Sequence, residues 1–252
     1  MQVTEKENKF FDELLKVGMC YGYSPSRRHP KMKPFISSSK NNVEIFDPAK
    51  IKVQLEAAKE FLKKLGSENK LIVFVGTKKE VKGLIKKAAS ALNMPYVAER
   101  WLGGTLTNFK EIKGRLDHLN GLVQKRDSGE LEKYTKKERL QIGKEIIKME
   151  RFFKSLQGVV AKPAALVVVD SDYEKNAVDE AKVISVPVVA LMNSDCNPEG
   201  INFSVPGSDS SLSSVEYFLT EIVKAYKDGA SNVEQVIKEK EINIKNDNNG
   251  TN

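Results

Sequence analysis

The segment best suited to ligand chemistry is RWLGGTLTNF, residues 100–109 of a 252-residue chain. Arg100 offers a planar guanidinium that can pair with phosphate, while the only indole of the chain follows it and can stack on a base or pack in a core. The two glycines permit backbone angles that other residues avoid, and a threonine after them can cap a helix. The segment therefore predicts a structural hinge at the start of a helical arm, formed by Trp101, Gly103, Gly104 and Thr105.

A second candidate is VGTKK at residues 75–79, where an apolar run predicts the end of a strand and the start of a helix. Parallel sheets bind ligands at such strand ends, so a nucleotide-binding enzyme or switch protein is an alternative. The P-loop pattern fails, however, because its upstream glycine is missing and the lysine is not followed by serine or threonine. The dinucleotide fingerprint fails as well, since it needs three glycines. We favour contact of Lys78 and Lys79 with a larger phosphate polymer.

Hydrolytic and metal chemistry find little support in the sequence. The two histidines, His29 and His118, belong to neither a GxSxG elbow nor an HExxH pair. Four aspartates follow predicted strands and could bind a metal, although such residues more often cap the next helix: Asp170, Asp172, Asp195 and Asp209. Cys20 and Cys196 are expected to be reduced thiols. We therefore expect no catalytic residue, no metal and no cofactor.

The charge of the chain is unevenly distributed. The net charge is +7, and the positive surplus lies before residue 158, whereas residues 158–230 are acidic. This polarity favours a polyanionic partner on one side of the protein. Residues 24–40 contain no acid and three prolines, which predicts an extended basic loop. No apolar run has export or membrane-spanning length, so we expect a cytoplasmic protein without a membrane partner.

Apolar runs and helical spacings alternate along most of the chain. The runs predict strands at 71–75, 96–97, 165–169, 186–191 and 202–205, with a further short strand at 42–46. The helical spacings predict helices near 48–65, 78–91, 174–184 and 211–227. Because strands and helices alternate, we expect a parallel sheet covered by helices on its faces.

Residues 105–157 interrupt this alternation. Apolar residues from Phe109 to Val123 recur at steps of three and four, and so do those from Ile142 to Leu156. Such seams predict an inserted antiparallel coiled-coil hairpin whose outward lysines, Lys110 and Lys113 among them, face a partner. The predicted domains are therefore a discontinuous α/β domain at 1–104 and 158–229, the hairpin at 105–157, and a partly helical to disordered tail at 230–252.

Six separated motifs give the chain a family resemblance. In chain order they are HPKMKP, FVGTKK, RWLGGTLTNF, PAALVVVD, VPVVALMNSDCNP and VPGSDS. Over about residues 8–229 the chain resembles the bacterial small-subunit ribosomal protein two family. The resemblance implies a flavodoxin-like (Rossmann-like) sheet with a protruding coiled coil. It also implies a non-enzymatic constituent of the small subunit that binds 16S ribosomal RNA near the head-body junction. Its implied protein partners are neighbouring ribosomal proteins, including the large mRNA-binding protein number one.

The chain departs from the family pattern at several positions. A GxHxGH-like run is replaced by GMCYGY, with Cys20 and Tyr23 where the histidines stand, and Arg28 replaces an aromatic residue. With the resemblance in hand, we interpret Trp101 as a wedge between arm and sheet domain and assign phosphate contacts to nine cations. They are Arg27, Arg28, Lys31, Lys33, Lys78, Lys79, Arg100, Lys110 and Lys113.

Overall fold

The computed structural model describes the backbone of residues 5–156, 159 and 162–249, and the side chains of residues 9–156, 159 and 162–231. The helices are α1 (Glu5–Lys16), α2 (Pro48–Ser67), α3 (Lys82–Ser90), α4 (Phe109–Asp127), α5 (Lys136–Phe153), α6 (Lys175–Val183) and α7 (Leu212–Asn249). The strands are β1 (Ile36–Lys40), β2 (Val43–Phe46), β3 (Ile72–Val75), β4 (Tyr96–Val97), β5 (Ala165–Val169), β6 (Val188–Met192) and β7 (Phe203–Pro206).

Five strands form the predicted parallel sheet in the order β4-β3-β5-β6-β7. Every residue of β3, β5 and β6 is buried, which explains why these strands are apolar without alternation. Counted from β3, the order is 2-1-3-4-5, the arrangement of flavodoxin-like folds. The predicted α/β sheet flanked by helices is thus confirmed. The chain divides into two compact units, residues 1–71 with 189–252 (unit 1) and residues 72–188 (unit 2).

Unit 1 is built around the close packing of α2 on α7. A Cβ atom added to Gly66 would lie 2.1 Å from the carbonyl oxygen of Tyr226, and one added to Gly229 would lie 2.0 Å from that of Lys63. Only glycine fits at these two positions, so the backbones of the two helices approach each other directly. The helix α7 continues well past its predicted end near residue 227.

The basic loop of unit 1 differs from its predicted extended form. It contains two short 3-10 helices, Pro25–Arg27 and Pro30–Phe35, followed by β1, which pairs antiparallel with β2. Each 3-10 helix begins with a proline, whose fixed φ angle suits a first helical position. The prolines therefore exclude a long α-helix, but the prediction of extended backbone was wrong for Pro25–Arg27 and Pro30–Phe35 and holds for the strand Ile36–Lys40.

Unit 2 holds β4, β3 and β5 with α3, α4, α5 and α6. The helices α4 and α5 contact each other and bury Ile112, Leu116, Leu119, Ile146 and Phe153. Thr135 and Glu138 form a capping box at the start of α5. These helices lie where the hairpin was expected; its coiled-coil geometry and the domain boundaries stay predictions.

Candidate nucleic-acid interface

The RWLGGTLTNF segment is folded around one carboxylate, that of Glu180 on α6. Oε1 of Glu180 accepts hydrogen bonds from Trp101 Nε1 at 2.9 Å and from the amide of Gly104 at 2.8 Å. Oε2 accepts from the amides of Leu106 at 2.9 Å and Thr107 at 3.2 Å, and from the Thr107 hydroxyl at 3.3 Å. Five neutral donors from one turn thus converge on a single anion.

These donors change the acidity of Glu180. Burial alone would raise the pKa of its carboxyl group, but the hydrogen bonds from Trp101 and from the three backbone amides outweigh burial and lower the pKa. The carboxylate therefore stays ionised and holds the turn in place. Sequence reasoning missed Glu180, because it is 79 positions from Trp101 and its helix carries several other acids.

The four predicted hinge residues have different roles. Trp101 is 6% exposed, so its indole is a buried anchor rather than a free stacking surface. Gly104 has a φ of +89°, whereas Gly103 has no positive φ and open space where a Cβ would be. The Thr105 hydroxyl donates to the carbonyl of Leu102 at 2.6 Å. Asn108, not Thr105, is the N-cap residue of α4, so the predicted cap at Thr105 was wrong.

Beyond this turn, three predicted cations of unit 2 face solvent. Arg100, Lys110 and Lys113 are exposed, and none has an ion pair with a residue in the described part of the chain. The last two lie one helical turn apart in α4 and on the same side of it. These three cations can therefore meet an external phosphate without first breaking an internal contact.

The strand-end loop at residues 76–79 is filled by protein carboxylates. The amide of Thr77 donates to Glu174 Oε1 at 2.5 Å, and Lys78 pairs with Asp170. Burial raises the pKa of Glu174, with the nearby Asp170 charge adding to the effect, while the hydrogen bonds from Thr77 and the charge of Lys78 oppose it. A carboxylate thus takes the amide that a nucleotide phosphate would need, which argues against the nucleotide-binding alternative. Lys79 is exposed.

Cations of the basic loop are engaged with acids of unit 1. Arg27 pairs with Asp195 at 2.9 Å, and its Cζ lies 4.0 Å from the centre of the Tyr23 ring. Arg28 pairs at 2.8 Å with Glu44, whose side chain is fully buried. Lys31 pairs with Glu199. Of the loop cations assigned to phosphate, only Lys33 is exposed without an ion pair to any residue that the structure describes.

Polar contacts fasten this loop to the turns after β6 and β7. The amide of Tyr23 donates to Ser194 Oγ at 3.0 Å, and its hydroxyl donates to Asp209 Oδ2 at 3.4 Å. Asn193 Nδ2 donates to the other oxygen of Asp209 at 2.5 Å. Tyr23, which stands where the family pattern has a histidine, is therefore a hydrogen-bonding residue. Asp195 holds the loop through Arg27, and Asp209 holds Tyr23 directly before it, so neither aspartate serves only as a helix cap.

The two cysteines and the candidate metal ligands form no reactive site in the described part of the chain. Cys20 and Cys196 are buried and unpaired with each other, and burial raises the pKa of Cys20 to about 11. Within the residues that the structure describes, no group of three His, Cys, Asp or Glu side chains is arranged to hold a metal ion. The described helices include none that is both long and apolar enough to cross a membrane.

Comparison with known proteins gives consistent matches. A family model described as "Ribosomal protein S2" matches residues 14–229. Small ribosomal subunit protein uS2 of Bdellovibrio bacteriovorus is 36% identical over 229 residues, covering 91% of this chain and 71% of that protein. The proteins of the same name from Dictyoglomus thermophilum and Coprothermobacter proteolyticus are 37% and 35% identical over 217 residues. These matches cover 86% of this chain and 88% and 81% of the two relatives.

Proposed function

The chain belongs to the ribosomal protein S2 family, and from this premise we propose how it works in the small ribosomal subunit. The family predicted from the motifs is confirmed. Its relatives are ribosomal proteins rather than enzymes, so the protein is a non-enzymatic ribosomal protein of the small subunit that serves translation. The proposed function is to bind 16S ribosomal RNA near the head-body junction, within cytoplasmic ribosomes.

The observation that carries the RNA-binding proposal is the separation of two kinds of cation. Arg100, Lys110 and Lys113 are exposed without an ion pair to any described residue, beside a turn that Glu180 holds rigid. Lys33 and Lys79 share this exposure. Cations on a fixed backbone bind phosphates without a further cost for ordering the backbone, and each released counterion favours binding. These five lysine and arginine side chains are the proposed primary phosphate contacts.

The four paired cations have a different proposed role. Arg27, Arg28, Lys31 and Lys78 each have a carboxylate partner inside the protein. They shape the loops that face RNA, and the half-exposed Arg27 and Lys31 keep further N–H donors for phosphate. Recognition would follow the shape and backbone of RNA, because the deep groove of an A-form helix hides its bases from side chains.

Two further parts of the proposal concern organisation. An inserted antiparallel coiled coil at 105–157 would project from the discontinuous α/β domain and carry Lys110 and Lys113 to the RNA. The acidic stretch at 158–230 does not form a separate acidic face, because its Asp170, Asp195 and Glu199 pair with Lys78, Arg27 and Lys31. Its remaining acids would face solvent or protein neighbours. Those neighbours would include the large mRNA-binding protein number one, which the family resemblance implies.

The test compares two double charge reversals of equal size and spacing. Lys110 and Lys113 in α4, like Lys224 and Lys227 in α7, are exposed lysines three residues apart. In full-length protein, Lys110→Glu with Lys113→Glu should reduce co-sedimentation with small subunits. It should also lower the log-log salt slope of RNA binding by about 0.9 for each lost phosphate contact. Lys224→Glu with Lys227→Glu should change neither quantity. Equal behaviour of the two variants would contradict the proposed RNA face.

A further inference from the structure

Three clefts of unit 2 meet at one aromatic side chain, Phe152 of α5. The first, of about 410 Å³, runs from β4 to the end of α5. The second, of about 460 Å³, lies between the RWLGGTLTNF turn and the facing sides of α4 and α5, and the third, of about 320 Å³, continues along these helices to His118. Phe152 lines all three, so its aromatic side chain is the wall that the three neighbouring clefts share.

The spacing of the lining residues places several of them on one side of α5, which we call the groove. Glu145, Lys148, Met149 and Phe152 follow one another at steps of three, one and three along α5, so they share one side of the helix. From Glu145 to Phe152 this stripe is about 10 Å long, at 1.5 Å per residue. The groove is therefore long enough for more than one small chemical group, such as a base with its flanking phosphates.

Cations dominate the rim of the groove. Arg100, Arg115, Lys148 and Lys154 line it, are exposed, and have no ion pair with a described residue. We refer to these four residues and Phe152 as the Phe152 face.

Three acids line the clefts: Glu99, Glu145 and Glu150. Glu145 Oε1 lies 3.5 Å from His118 Nε2, and Glu150 has no ion pair with a described residue. Glu99 accepts hydrogen bonds from Lys82 at 2.8 Å and from Arg151 at 2.9 and 3.1 Å. The bonds from Lys82 and then from Arg151 lower the pKa of Glu99, so its carboxylate stays ionised and these two cations balance its charge. The four rim cations outnumber Glu145 and Glu150, the two lining acids that no described lysine or arginine pairs with. A net positive charge therefore lies beside the Phe152 side chain, and that charge suits a polyanion.

We propose that the Phe152 face binds a short single-stranded segment of RNA. One unpaired base would lie against Phe152, and the phosphates on either side of it would meet the rim cations. This inference rests on the proposed RNA-binding function and adds to it the kind of RNA bound. A duplex keeps its bases stacked inside, so it cannot place one in a narrow apolar cleft, whereas stacking on an aromatic side chain tolerates any unpaired base.

The test uses full-length protein, a short labelled oligouridine and an RNA duplex of the same length, with affinity read by fluorescence anisotropy. Phe152→Ala should weaken oligouridine binding about tenfold or more, since base stacking on an aromatic side chain contributes that much, and leave duplex binding nearly unchanged. Phe152→Tyr, which keeps an aromatic ring, should bind oligouridine about as well as the parent protein. Arg115→Ala with Lys148→Ala should lower the salt slope for oligouridine by about 1.4, from 0.7 for each phosphate contact. Lys224→Ala with Lys227→Ala is the matched control.

Two results would overturn the inference. One is an oligouridine affinity that is unchanged in a folded Phe152→Ala variant; the other is a parent protein that does not bind oligouridine at low salt. If Phe152→Ala does not fold, as its thermal unfolding will show, Phe152→Leu replaces it, because leucine keeps an apolar side chain without a ring. Co-sedimentation with small subunits separates the two proposals. If the parent protein sediments with subunits but does not bind oligouridine, only the single-strand site is rejected and the proposed RNA-binding function stands.

Discussion

The basic loop of unit 1 and the RWLGGTLTNF turn of unit 2 are held in place by different kinds of hydrogen-bond donor. Both are irregular segments held by carboxylates that are distant in sequence. The loop uses cations as donors, so that Arg27 and Arg28 are bound to Asp195 and Glu44. The turn uses neutral donors, the Trp101 indole and backbone amides, all bound to Glu180. Neutral donors use no cation, and Arg100, next to Trp101, is exposed without an ion pair to any described residue.

This difference shows that basic residues that look alike in the sequence differ in their capacity to bind RNA phosphates. A cation that is paired inside the protein contributes mainly to folding, and its removal is costly when the partner is buried. An exposed, unpaired cation contributes mainly to association with a polyanion, and its removal barely affects stability. Variants in the two regions should therefore separate the free energy of unfolding from RNA affinity.

The largest effect is expected in the loop, from Arg28→Ala. It leaves the fully buried carboxylate of Glu44 without its cation, and one oxygen of that carboxylate, Oε2, already has no hydrogen-bond partner. The free energy of unfolding should fall by about 3 to 5 kcal/mol, measured by urea titration. Adding Glu44→Gln should recover part of the loss, because the buried charge is then gone. An Arg28→Ala variant as stable as the parent would show that the loop does not depend on this pair.

The next largest effect tests the neutral anchor of the turn. Glu180→Ala removes the acceptor of five hydrogen bonds and leaves the indole N–H of the buried Trp101 unsatisfied. We expect a loss of about 2 to 4 kcal/mol in the free energy of unfolding. Asp179→Asn, at the adjacent and exposed position, is the matched control and should stay within about 0.5 kcal/mol. Equal losses at the two positions would mean that Glu180 is not the anchor.

The pH dependence of this anchor has a definite sign. The folded-state pKa of Glu180 is lowered, so its stabilisation is fully present above the unfolded value of about 4.3 and is lost as the pH falls through the folded value. The difference in unfolding free energy between parent protein and Glu180→Gln should therefore be constant near neutral pH and shrink below about pH 4. Urea titrations across this range measure it. A difference that grew on acidification would contradict the lowered pKa.

The sequence predicted the sheet but not the carboxylates that hold the turn and the basic loop, and the reason is physical. Buried strands such as β3 and β5 are continuous apolar runs, and this local pattern reports burial directly. The carboxylate partners of Trp101 and Arg27 are 79 and 168 positions away, and no local pattern distinguishes Glu180 from other surface acids. The prediction of nine equivalent RNA-binding cations was therefore made without knowing which of them are paired in the fold.

The smallest expected effect concerns the two glycines of the turn, which look identical in sequence. Gly104 has a φ of +89°, and an added Cβ would lie 3.2 Å from Asn108 Cβ, whereas a Cβ on Gly103 would meet no atom within 4 Å. Gly104→Ala should therefore lose about 1 to 2 kcal/mol of unfolding free energy, and Gly103→Ala should change it by no more than about 0.5 kcal/mol. Gly104→Asn should lose less than alanine, because asparagine tolerates positive φ better. Equal effects of alanine at the two glycines would mean that Glu180 does not hold the turn in this shape, and the contrast with the basic loop would lose its basis.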